Sequence, residues 1–105
     1  MWPSEESQSA AIFRRAQKVL PGGISRLLTW VDPYPLYAKS GKGSYIEDAD
    51  GIKRMDLMNN FASLIHGHAH PKIIEAVNSV ITDGSCFALP TEHEIKLAEL
   101  LCELV

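Results

Sequence analysis

Glycine and proline cut this chain into short pieces, and that punctuation limits its fold more than any other feature. Pro21-Gly22-Gly23, Pro33, Pro35, Gly41-Lys42-Gly43, Asp48-Ala49-Asp50-Gly51, Pro71, Gly84 and Pro90 each fall where a regular element has to stop or turn. No apolar run approaches the ~20 residues needed to cross a bilayer. With 105 residues, the chain has room for one compact unit and not for two full domains.

The pieces have distinct periods. Ile12, Phe13, Ala16, Val19 and Leu20 recur at three- and four-residue steps, which predicts an opening helix that ends at Pro21-Gly22-Gly23. Residues 24–35, with their two prolines, predict an extended connector. Leu36–Lys39, Tyr45–Glu47 and Ile52–Met58 are rich in β-formers and separated by glycine-bearing breaks, so three strands in an antiparallel meander are expected. Asn59–His70 holds neither period. Pro71 suits the first position of a helix whose stripe is Ile73, Ile74, Val77, Val80 and Ile81, with Gly84 as its stop. Thr91-Glu92-His93-Glu94 matches a capping box, and Ile95, Leu97, Ala98, Leu101 and Leu104 follow on one face. The fold class is therefore α+β. The chain is expected to continue beyond Val105, because its last helical pattern meets no stop signal.

Charge and cysteine content exclude several classes of function. Ten basic against thirteen acidic residues give a net charge of −3, the wrong balance for a general nucleic-acid binder. The acidic residues near the start are the reverse of a secretory n-region, and no membrane association is expected. Cys86 and Cys102 lack any disulfide or metal spacing, which predicts two reduced thiols in a cytoplasmic protein.

Few residues carry chemistry on their own. His66, His68 and His70 alternate as metal ligands on a strand would. Gly67 and Pro71 interrupt any such strand, and no carboxylate or cysteine stands close in sequence as a fourth ligand. No metal site is expected, and the histidines are read as bonding backbone at a helix entrance. Gly41-x-Gly43 lies between strands and so is a hairpin, not a phosphate cradle. Cys86, Ser63 and Ser85 lack a nucleophile's surroundings. All six lysines stand in polar contexts unsuited to a Schiff base, so no catalytic residue is expected within the chain. Arg26 differs, because it sits between a Gly-Gly turn and an apolar connector, where its fork suits a substrate carboxylate.

Five segments, in order and spacing, resemble the leading part of class III pyridoxal-phosphate aminotransferases. They are Leu20–Arg26, Asp32–Tyr37, Gly43–Gly51, Gly67–Pro71 and Gly84–Glu92. The branch that includes the glutamate-1-semialdehyde aminomutases is the most similar. The resemblance implies a fold type I transferase of which this chain is the N-terminal part, with the α/β large domain lying elsewhere. Residues 1–23 would be the N-terminal helix and turn, and 24–35 the substrate-side connector. Residues 36–70 would be the small-domain meander and loop, and 71–105 the helices leading to the cofactor domain.

By the same resemblance, Ser25 and Arg26 form a substrate-side loop, with Arg26 taking the substrate carboxylate, and Phe61 is an active-site aromatic. Ser85, Phe87 and Ala88 match a loop near the cofactor and the dimer interface. The cofactor is pyridoxal 5'-phosphate, its Schiff-base lysine lies beyond residue 105, and the whole enzyme is a homodimer. The aminomutase pattern has Asn-Ser-Pro-Val-Arg after the Gly-Gly turn and tryptophan at position 61, whereas this chain has Ile24-Ser25-Arg26 and Phe61. Amino-group transfer from an amino acid or β-amino acid is therefore the expected reaction, with aminomutase as the alternative. A small metal-binding domain or an assembly module built on the apolar helices are the non-enzymatic alternatives.

Overall fold

A computed structural model describes residues 2–105 as two units, one running to His70 and one from Pro71 to Val105. In the first unit Ser7 caps helix α1, Gln8–Ala16, by accepting the Ala10 amide at 3.0 Å. The helix is shorter than its apolar pattern predicts. Lys18 and Val19 donate to the carbonyls three residues back, which is turn geometry, and a 3₁₀ turn at Pro21–Gly23 follows. Val19 is thus left 78% exposed and outside the core.

Tyr34 reaches this core from the connector. It is buried with Ala10 and Phe13, and Trp2, Ile24 and Tyr37 pack around them. Its hydroxyl donates to the Ser4 carbonyl at 2.7 Å and accepts the Ser4 amide at 2.6 Å, so the buried phenol keeps its hydrogen bonds. A second 3₁₀ turn, Leu27–Thr29, breaks the otherwise extended connector.

The sheet is an antiparallel meander in the order β1-β2-β3, with β1 at Ala38–Lys42, β2 at Tyr45–Asp48 and β3 at Lys53–Met55. Strand β1 starts and ends later than expected. Gly41 lies inside it, opposite Ile46, and the hairpin turns on Gly43 and Ser44 alone, with Gly43 at φ 57°. Strand β3 is shorter than expected: the Asp56 amide still donates to Ser44, but its side chain accepts the Met58 and Asn59 amides and turns the chain away from the sheet. At the second hairpin, buried Asp48 accepts the amides of Asp50 and Ile52 and the Nε–H of Arg54, at 3.0, 2.9 and 2.9 Å. Asp50 in turn accepts the Gln8 amide at 2.7 Å, tying the first turn of α1 to the sheet.

In the second unit, Pro71 opens helix α2, Pro71–Ile81, and Glu92 opens helix α3, Glu92–Leu104. Glu94 Oε1 accepts the Thr91 amide at 3.0 Å, as the capping box requires. The stripe of α2 stays exposed: Ile73, Ile74, Val77, Val80 and Ile81 keep 37–50% of their surface. Ile95, Leu97, Leu101 and Leu104 on α3 are exposed as well.

Candidate functional site

Arg26 enters the structure with its backbone pinned and its side chain free. It is extended at φ −133°, ψ 108°, and its carbonyl accepts both the Thr29 amide (3.0 Å) and the Thr29 hydroxyl (2.7 Å). The guanidinium carbon lies over the Phe61 ring, 5.9 Å from its centroid. Among the described residues, the guanidinium makes no ion pair and no hydrogen bond. Two residues 35 positions apart in sequence therefore meet, and the arginine's donors stay available. Ser25 is exposed beside it and lines an open groove of about 480 Å³ with Pro21, Gly22, Ile24, Leu27 and Trp30.

Phe61 is presented by an unusual backbone. Asn59, Asn60, Phe61 and Ala62 all have positive φ, at 49°, 45°, 58° and 64°, which makes one turn of left-handed helix without glycine. Asparagine tolerates this region, but Phe61 and Ala62 each cost roughly 1–2 kcal/mol there, because Cβ crowds the following carbonyl. Local bonds offset part of this. Ala62 N–H donates to Met58 at 3.2 Å, Ser63 N–H to Asn59 at 3.1 Å, and the Asn60 and Ser63 side chains bond each other at 2.8 Å.

Asp56 stands at the entry to that turn. Its Oδ1 accepts the amides of Met58 and Asn59, both at 2.9 Å, and its Oδ2 accepts the Nε2–H of His68 at 2.6 Å. The His68 bond, then the Asn59 amide, outweigh partial burial and hold the Asp56 carboxyl below its ordinary pKa. His68 is fixed from the other side by reciprocal backbone bonds with Gly43, each 2.9 Å. Its ring lies so close to β1 that a Cβ on Gly41 would sit 2.6 Å from the His68 ring carbon. Gly41→Ala is therefore expected to cost about 1–2 kcal/mol, read as a lower urea midpoint for the full-length protein.

This geometry corrects the reading of the histidines as backbone partners. The His68 ring bonds a carboxylate twelve residues earlier, and sequence spacing held no sign of it. The His66 and His70 rings lie 5.2 Å apart, while the His68 ring is engaged by Asp56. The described residues contain no group of three or more His, Cys, Asp or Glu able to hold a metal.

Ser85, Phe87 and Ala88 belong to the second unit and are exposed. The Phe87 ring covers Gly84, whose added Cβ would meet it at 2.7 Å. The loop presents a serine hydroxyl and an aromatic face to its surroundings. All six lysines are exposed, none in the dry setting a Schiff base needs. No helix among the described residues is long and apolar enough to cross a membrane.

Comparison with known proteins agrees with this architecture. The family model of class-III aminotransferases matches residues 28–105. A glutamate-1-semialdehyde 2,1-aminomutase of Methanothermobacter thermautotrophicus is 45% identical over 98 residues, which is 93% of this chain and 23% of that protein. Among solved structures, an omega-transaminase from Sphaerobacter thermophilus is 55% identical with a TM-score of 0.88, over 93% of this chain and 22% of that one. A transaminase with PLP bound is 46% identical with a TM-score of 0.83, over 87% of this chain and 22% of that one. The chain thus spans about a quarter of the length of the relatives it matches.

Proposed function

Since the chain belongs to the class-III aminotransferases, we propose that it forms the substrate-carboxylate side of a pyridoxal-phosphate aminotransferase acting on an amino acid or β-amino acid. The observation that carries this reading is Arg26, an arginine without a partner among the described residues, lying over the face of Phe61. A guanidinium fork binds a carboxylate through two parallel hydrogen bonds, and contact with an aromatic face limits its freedom before substrate arrives. Arg26 orients the amino acid, Ser25 offers a hydroxyl at the groove beside it, and Phe61 walls the pocket against water. When bound, the cofactor withdraws electrons from the substrate carbon. We assign its covalent lysine to the part of the relatives' length that this chain does not span, and Ser85, Phe87 and Ala88 to its rim or to the dimer boundary.

In this reading the whole protein is a cytoplasmic homodimer. The half-exposed stripes of α2 and α3 support an assembly larger than this chain. A second reading, aminomutase, is favoured by the 45% identity to the archaeal relative. One assay separates the two. The full-length protein, supplied with pyridoxal phosphate, is expected to move an amino group from α- or β-amino acids to a keto acid. Isomerisation of glutamate-1-semialdehyde without any acceptor would establish the second reading instead. Failure with every donor and with the semialdehyde overturns both.

A further inference from the structure

We propose that Asp56 and His68 are positioning residues that hold the left-handed turn Asn59–Ala62 and thereby keep the Phe61 ring beneath Arg26. The turn is held at both ends. Asp56 is tied to the sheet by its own amide, which donates to the Ser44 carbonyl at 2.9 Å, while its Oδ1 takes the two amides that lead into the turn. His68 is tied to the first hairpin through Gly43, and the Asp56–His68 bond closes the loop between these two anchors.

Nothing in the side chains of Phe61 and Ala62 favours positive φ, so the conformation has to be imposed from outside the turn. A right-handed turn at the same place would send the Phe61 Cβ in another direction and separate the ring from the guanidinium. Gly41 belongs to the same device, because only a residue without Cβ lets the His68 ring reach Asp56 across β1. Arg54, Lys42 and Lys53 lie on the sheet, yet no ion pair links any of them to Asp56, so His68 is its side-chain partner among the described residues.

The significance for catalysis rests on the proposed role of Arg26, but the geometry is tested without any turnover. 4-Fluorophenylalanine is placed at position 61 of the full-length protein, and its ¹⁹F shift is compared across variants. Arg26→Gln reports the displacement caused by losing the guanidinium. Asp56→Ala is expected to move the resonance by a comparable amount, while Asp56→Asn, which keeps an acceptor for both amides, moves it less. A second label at position 13, in the α1 core, is expected to stay in place and shows that the unit remains folded. If Asp56→Ala unfolds that core, His68→Gln takes its place, with the Phe61 resonance again expected to move. An unmoved Phe61 resonance in the folded variant overturns the proposal. A resonance that moves in Arg26→Gln and Asp56→Ala alike, in a protein without transferase activity, leaves the positioning intact and sinks only the functional reading.

Discussion

Arg26→Ala in the full-length protein is expected to raise KM about a hundredfold for amino donors that carry a carboxylate, and much less for amines that lack one. A hydrogen bond to a charged group contributes roughly 1.5–3 kcal/mol, and a paired fork on a carboxylate lies at the upper end of that range. The loss should fall on KM, because the carboxylate takes no part in the bond changes and is held alike before and during the chemical step. Arg26→Lys keeps the charge but not the fork, so it should recover only part of the affinity. Steady-state kinetics with a matched pair of donors, one with and one without the carboxylate, decides the matter. Equal losses on both donors remove the clamp. Arg26 would then serve the pocket only through its contact with Phe61, which Phe61→Leu should weaken to the same extent.

The parts of this structure that were legible beforehand are those encoded by local period or by a stop. Pro71, the stripe of α2 and the Thr91–Glu94 box lie where the pattern put them, because each depends on neighbours within four residues. Helix α1 failed at its end for the complementary reason. Val19 and Leu20 continue the apolar period, but the core already had its filling from Tyr34, a residue in a segment with no period at all. In the sequence Gly41 reads as a turn glycine, since glycine marks turns. Its actual reason is the His68 ring across the strand, a contact 27 residues away.

The site divides in the same way. Arg26 stood out on chemistry alone, as a charged fork beside an apolar connector. Phe61 emerged only by resemblance, since an aromatic in an aperiodic stretch has no signal of its own. The Asn59-Asn60 pair was the one local hint of a left-handed turn, as asparagine is the non-glycine residue most at ease there. Asp56 was missed altogether. A carboxylate at the end of a strand looks like a solvated side chain until its partner His68 is brought back by the fold.

Asp48→Ala is expected to cost about 3 kcal/mol in the stability of the first unit, more than any other single truncation in the sheet. Asp48 is 1% exposed and holds three donors at once: the Ile52 and Asp50 amides and the Arg54 guanidinium. Burial is the largest influence on its carboxyl and favours the neutral form. The bonds from Ile52, Arg54 and Asp50 together with the Arg54 charge exceed it, so the pKa lies below the ordinary 3.8. The sign of the pH dependence follows. The stabilisation is fully present above about pH 3.8 and is lost as pH falls toward the depressed folded value, where the unfolded chain binds the proton first. Asp56 is lowered in the same direction and adds to the same acid limb. Amide hydrogen exchange of Ile52 and Asp50 in the full-length protein reads this locally. Both amides should lose protection in Asp48→Ala at pH 7, whereas Asp48→Asn, which keeps the acceptor but not the charge, should retain more of it. The acid loss of protection in the wild type should be shallower in Asp48→Asn. Unchanged exchange at these two amides would mean that the hairpin is held by its backbone ladder alone, and that the buried carboxylate is a passenger.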